Sequence, residues 1–257
     1  MNATTRNWSR EEHILAFNLY CQIPFGTIHV RNPKIQKLAR LLGRSVGSVS
    51  YKLANFARFD PALKARGIRG MPHGAKGEEE VWREFAENPE SLAFESEQLL
   101  AARLHKPVEE VSEIKMQDLP KEGMEREALV RVRVNQAFFR RRILSVYEFR
   151  CCVTGLAIRP LLVASHIVGW AHDKANRLNP RNGLCLNALH DRAFDTKLMW
   201  IDDRYRIRFS AMLSTVKGVS RETTDWLTQF EGRRLLLPDK FAPDAALLKQ
   251  HARSCRS

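Results

Sequence analysis

The 257-residue chain has no run of eighteen apolar residues, so no helix is expected to cross a membrane. Its first twelve residues, Met1 to Glu12, are polar and lack the apolar core of a secretion signal. The cytoplasm is therefore the expected compartment. Cysteine is scarce. The five (Cys21, Cys151, Cys152, Cys185 and Cys255) are odd in number, scattered, and include no Cys-x-x-Cys pair. That argues against a secreted disulfide framework and against a zinc ribbon. Adjacent Cys151 and Cys152 are expected to point to opposite faces of a strand, a poor geometry for shared ligation. No internal repeat or low-complexity tract is visible.

What the chain does have is positive charge, a net +13, in blocks. Residues 1–72 carry a net +9, residues 73–123 a net −7, and residues 124–257 a net +11. Two basic blocks around an acidic middle favour a polyanionic partner, and each basic block carries a motif. The length suits one large domain or two small ones.

In the first block, Ser9 and Glu12 have the spacing of a capping box, so a helix is expected from there to about Cys21. Asn32-Pro33 starts a second helix and Gly43 ends it. Ser45 caps a third, which runs through Val46, Val49, Leu53 and Phe56. Ala39, Gly43 and Val49 then supply a small residue at a helix crossing, a turn residue tolerant of positive φ, and an apolar closure. This segment resembles a helix-turn-helix. The resemblance implies a third helix in the DNA major groove, with Arg44, Ser45, Ser48, Ser50, Lys52, Asn55 and Arg58 on its polar face.

Residues 73–123 read as an acidic helical connector. Glu78–Glu87 has Val81, Trp82 and Phe85 on one side, and Leu92–Leu104 is a second helical stretch. Its glutamates are expected to form a solvated face that keeps the connector off DNA. Glu125–Tyr147 reads as a long helix, with an opening alternation at Val130–Val134 that also suits extended chain. Its triplet Arg140-Arg141-Arg142 is either a solvated face or a phosphate contact.

The densest signal lies in residues 150–195. Cys152-Val153-Thr154-Gly155 comes first, then Ser165-His166-Ile167, Asn182-Gly183-Leu184, and Leu189-His190-Asp191-Arg192-Ala193-Phe194-Asp195. Leu161–Ile167 reads as a strand, Asn182–Leu186 as a return strand, and a short helix holding His190 and Phe194 follows. A hairpin, Leu198–Asp202 with Tyr205–Phe209, comes next, and His251 in the tail is read as structural. The order His166, Asn182, His190 resembles the HNH nucleases, whose ββα-metal site cuts phosphodiesters. The resemblance covers roughly residues 130–251.

Taken with the helix-turn-helix-like segment and the acidic stretch, that resemblance points to an α+β protein in three parts. These are a helix-turn-helix-like DNA-binding domain (1–72), the connector (73–123) and a C-terminal ββα-metal HNH nuclease domain (124–257). It implies His166 as general base, Asn182 as the orienting residue and His190 as a metal ligand. The family often places Asp or His before the first histidine; here that position is Ser165, a poor ligand. Asp191, Asp195 or Asp173 is then the second ligand, with Asp191 the first choice. The expected cofactor is Mg²⁺, with Mn²⁺, Ni²⁺, Co²⁺ or Zn²⁺ as alternatives. The expected partner is double-stranded DNA, contacted by Arg44, Ser45, Ser48, Lys52, Arg140 and Arg141. A homodimer would allow both strands to be cut. The plan of a separate reader joined to a small nuclease matches restriction-type enzymes, including modification-dependent ones. Two other functions fit the same residues: a DNA-binding regulator with an inactive HNH fold, and a non-specific nuclease toxin.

Overall fold

The computed structural model describes residues 6–65, 67–68, 75–114, 117, 119–120 and 122–256. Contacts divide the chain into two units, residues 1–142 and residues 143–257.

The first unit is helical and is built around α1 (Arg10–Cys21). The expected capping box forms: Glu12 N–H donates to Ser9 Oγ, and Glu12 Oε2 accepts from Ser9 N–H at 3.0 Å. These bonds satisfy amides that a helix start leaves open. Phe17 and Tyr20 of α1 are buried together with Phe56. Phe17 lies 4.9 Å from the Phe56 ring and 5.2 Å from Trp82. Tyr20 Oη donates to Asp60 at 2.7 Å, and burial drives its hydroxyl well above the ordinary range.

Asn32 caps α2 (Pro33–Leu42) through its side chain, and Gly43 ends it at φ +62°. Ser45 caps α3 (Val46–Phe56) by accepting from Ser48 N–H. Ala39 and Val49 are buried in this helix pair, as the spacing requires. A short helix α4 (Pro61–Ala65) follows.

The acidic segment is not a separate connector. Its helices α5 (Lys76–Phe85) and α6 (Pro89–Leu104) pack against α1, and the short α7 (Val108–Val111) packs on α6. The first unit therefore absorbs residues assigned from sequence to the linker. Nor are its glutamates all solvated. Glu78 and Glu97 are buried and ion-paired, the first with Lys52 and Arg58, the second with Arg141. Two carboxylates are driven inside because the basic helices offer them partners. The long helix α8 (Met124–Val146) is helical from its start, including the alternating Val130–Val134. It runs across the boundary between the two units.

The second unit holds an antiparallel pair, β1 (Leu162–His166) and β2 (Gly183–Asn187), in a register that sets Ser165 opposite Leu184 and His166 opposite Gly183. Helix α9 (Ala188–Asp195) leaves β2 directly, because Asn187 caps it by accepting from His190 N–H. A second hairpin, β3 (Met199–Ile201) with β4 (Ile207–Phe209), then α10 (Arg221–Thr228) and α11 (Ala245–Arg256) complete the unit. Cys151 and Cys152 do not lie on a strand. They enter a turn whose backbone bonds to β2, Cys152 N–H donating to Cys185 O at 2.7 Å. Both side chains are buried, and Cys151 Sγ accepts from Asn187 N–H at 3.3 Å. All five cysteines are free thiols. His251 of α11 stacks on Phe194 of α9 with centroids 3.7 Å apart, and its Nε2 lies 3.2 Å from Phe194 O.

Candidate active site

His166 ends β1, where the strand gives way to a loop that returns at Asn182. Its Nε2 lies 2.9 Å from the carbonyl oxygen of Arg177. A carbonyl can only accept, so Nε2 carries the proton and the neutral ring keeps its basic lone pair on Nδ1. Burial lowers the His166 pKa, against smaller upward pulls from the Arg177 carbonyl and the Asp195 carboxylate. The ring is thus held neutral at pH 7, the form a general base requires.

The loop from 167 to 182 is shaped by Asn182, which is fully buried. Its Oδ1 accepts from Val168 N–H at 2.9 Å, and its Nδ2 donates to Val168 O and Asn176 O, each at 3.1 Å. The Asn182 carbonyl accepts from Ile167 N–H at 2.9 Å. One amide side chain thereby ties both ends of the loop next to His166. Asp173, a candidate ligand from sequence, is occupied differently. It accepts from the backbone and side chain of Asn176 at 3.1 and 2.7 Å.

Asp191 and Asp195 lie one turn apart on α9, on one face. Burial raises the Asp191 pKa, the nearby Ser165 hydroxyl pulls it down, and Asp195 pushes it up again. Ser165 Oγ is buried beside this carboxyl without reaching hydrogen-bond geometry. Two like charges, one of them half-desolvated, form a place where a cation is favourable. No group of three His, Cys, Asp or Glu side chains poised for a metal occurs among the described residues. The donors present fit a hard cation that takes one or two carboxylates and fills its remaining positions with water and phosphate oxygen.

His190 stands apart from this pair. Its Nδ1 lies 3.1 Å from Asn187 Oδ1, and its ring meets Phe230 edge-on at 5.6 Å and Phe209 at 6.4 Å. Burial is the whole cause of its lowered pKa, with no charged side chain contributing. Its Nε2 is buried and has no hydrogen-bond partner. The expectation that His190 and Asp191 share one ion therefore meets different surroundings. Asp191 looks to Ser165 and Asp195, whereas His190 looks to aromatic rings.

Two residues near His166 were not singled out from sequence. Trp170 meets the His166 ring edge-on at 5.6 Å. Arg177 lies over the Trp170 ring at 5.2 Å and donates from Nε to Trp170 O at 2.9 Å. Its guanidinium is thereby fixed against Trp170, while its carbonyl sets the tautomer of His166. No sequence signal marked Arg177, because its role depends on a carbonyl and on a fold in the loop.

The expected DNA contacts divide. Ser45 is exposed and Ser48 half-buried at the start of α3, and Arg140 is exposed on α8. Arg44, Lys52 and Arg141 are engaged in ion pairs within the protein. The Arg44 side chain is 5% exposed and donates to Glu12 at 2.7 Å. Lys52 is buried against Glu78, and Arg141 pairs with Glu97. These cations were read as a surface because their acidic partners lie more than thirty residues away for two of the three, and twenty-six away for Lys52. Asn55 and Arg58 are likewise turned to Glu78.

Residues 151–202 match the family described as HNH endonuclease. That segment, which holds β1, β2, α9 and β3, is an HNH endonuclease domain. The match supports nuclease activity, a hydrolysis for which HNH domains generally use a divalent metal ion. No curated protein matches the chain.

Proposed function

We propose that the chain is a divalent-ion-dependent DNA endonuclease in which His166 is the general base. The observation that carries this reading is the 2.9 Å bond from His166 Nε2 to the Arg177 carbonyl, in a ring that burial keeps neutral. A water placed at Nδ1 gives up its proton there as its oxygen bonds to phosphorus. The opposite P–O bond breaks and the departing oxygen is protonated from solvent. Asn182 keeps the loop, and so the ring, in position. The Arg177 fork meets the phosphate oxygens, a bidentate geometry that suits guanidinium. Asp191 and Asp195, beside Ser165, would hold the ion, which supplies charge stabilisation for the phosphate and leaving oxygen. A second reading puts the ion on His190, supported by its buried, unpartnered Nε2 and by Asn187 on its other nitrogen.

The helical first unit is the target reader in this proposal. Helices α2 and α3 form a helix-turn-helix-like pair, with the exposed Ser45 and half-buried Ser48 facing DNA. Duplex DNA is favoured over RNA because side chains read the DNA major groove. The enzyme is read as restriction-type and cytoplasmic, acting as a homodimer where both strands are cut. A regulator with an inactive HNH fold predicts DNA binding with no cleavage, and a toxin predicts indiscriminate degradation.

The test is cleavage of plasmid DNA from hosts with and without DNA methylation, in Mg²⁺, Mn²⁺ or EDTA, by wild type and His166→Ala. Discrete cutting that needs the ion and is lost in the variant supports the reading. Tight binding without cutting in any ion overturns it.

A further inference from the structure

The first unit contains a cavity of about 790 Å³ whose wall includes Trp8, His13, Arg44, Ser45, Ser48 and Lys52. Three features make it more than a gap between helices. The first is an aromatic wall carrying cations. The Arg44 guanidinium carbon lies 4.4 Å from the Trp8 ring centroid and Lys52 Nζ lies 5.1 Å from it. These cations are held in place by Glu12 and Glu78 rather than left mobile.

The second is a set of buried polar atoms without partners. His13 is 3% exposed, and its Nδ1 lies 2.8 Å from Ser9 O, so Nδ1 carries the proton and Nε2 is an acceptor. Burial lowers the pKa of this ring and keeps it neutral. Nε2 has no hydrogen-bond partner, and neither does Arg44 Nε, a donor. An unmade hydrogen bond at a buried group costs roughly 1–3 kcal/mol, which a ligand that supplies the partner recovers. Gly77 also lines the cavity. A Cβ there would lie 2.7 Å from His13 Cε1 and 3.2 Å from Nε2, so only glycine leaves that ring edge uncovered.

The third is the start of α3. Ser45 and Ser48 line the cavity where the helix presents its first-turn amides and the positive end of its dipole. An acceptor, a donor, a flat aromatic wall and an anion-favouring helix start together describe a planar heteroaromatic ring attached to a phosphate.

We propose that this cavity takes one nucleotide unit of a DNA strand, with its base against Trp8 and Arg44 and its phosphate at the start of α3. The volume is ample for a single nucleotide, since small-ligand pockets run from about 300 to 1,000 Å³. A base can enter only after leaving the helical stack, so the first unit selects DNA in which one base is easily extruded, such as a mismatched or modified one. This rests on DNA being the substrate, as proposed above, but not on the nuclease chemistry.

The experiment is equilibrium binding by the full chain in EDTA, which separates binding from cleavage. The probes are deoxynucleoside 5′-monophosphates, inorganic phosphate, a perfect duplex, and the same duplex carrying one unpaired 2-aminopurine. The expected result is saturable mononucleotide binding that equimolar phosphate does not displace. The unpaired duplex should bind at least tenfold more tightly than the perfect one, and its 2-aminopurine fluorescence should change. Trp8→Ala should lose that preference. Ser48→Trp, which fills the cavity from its rim and removes no ion pair, should lose it too, with thermal melting confirming that both variants are folded. Equal affinity for the two duplexes, full competition by phosphate, or an unchanged preference in folded Ser48→Trp overturns the proposal. Nucleotide binding with no cleavage in any ion would keep this pocket and sink the nuclease reading; cleavage without nucleotide binding would do the reverse.

Discussion

The two units use the same kinds of side chain to opposite ends. In the first, acids and bases close on one another: Glu12 on Arg44 and Arg6, Glu78 on Lys52 and Arg58, Glu97 on Arg141. In the second, the polar groups around β1 and α9 keep valences to spare. Asp191 sits beside a like charge, His190 Nε2 has no partner, and Ser165 Oγ is buried without a hydrogen bond. Closed pairs are what a basic helical bundle needs in order to bury its cations. Unfilled valences destabilise a resting protein, and they persist where a substrate or ion completes them. The first unit is not wholly closed: His13 Nε2 and Arg44 Nε at the Trp8 cavity, and Asn55 Oδ1 beside Glu78, also have no hydrogen-bond partner.

This contrast can be broken by substitution. The largest effect is expected from His166→Ala, which should lower single-turnover cleavage by about 10²–10⁴-fold while DNA affinity in EDTA stays within a few-fold. Next is Glu78→Ala. It strands buried Lys52 with Arg58 and Asn55, and urea unfolding should show a loss of roughly 3–5 kcal/mol. If the loss is below about 1 kcal/mol, the first unit is not held by its closed pairs. Arg177→Met should cut the cleavage rate by about tenfold or more, by analogy with a lost electrostatic contact, with affinity retained. Its main-chain carbonyl is unchanged, so the pH profile should keep its shape. A shifted profile would mean the side chain acts through His166 instead.

The ion's seat gives a sharper comparison. Asp191→Asn should abolish the response to added Mg²⁺, while His190→Phe should leave that response in place. The opposite pattern moves the ion to His190. The smallest effect concerns pH. Burial lowers His251 from 6.5 to about 4, with Lys197 adding to it. The unfolded chain therefore binds a proton there that the folded chain refuses. Its contribution is fully present above about pH 6.5 and is lost as pH falls from there towards 4. His251→Phe keeps a ring against Phe194 and should flatten the fall in melting temperature across that window.

How much of this could be read from the sequence depended on how far each residue's partner lies along the chain. The capping box of α1 and the Gly43 turn are set by neighbours within four residues, and both stood in the letters. The β1–β2–α9 unit was legible because strand, loop and helix follow directly and Asn182 braces a loop that it itself ends. The burial of Lys52 was not legible because Glu78, its partner, lies on a different helix, and a charged run read alone looks like a surface. Cys151 and Cys152 were misjudged because apolar neighbours suggest a strand, whereas the turn closed by Gly155 at φ +74° decides otherwise. Arg177 could not have been found, since the atom that orients His166 is one that every residue owns.

That last point bears on how such a site can change over generations. The group that fixes the protonation of His166 is a main-chain oxygen, so no codon change at position 177 removes it. What removes it is a shift in the path of the chain. Side chains in the loop between Val168 and Asn182 can therefore change without disturbing that proton, even where they cost activity in other ways, whereas an inserted or deleted codon there should be a null allele.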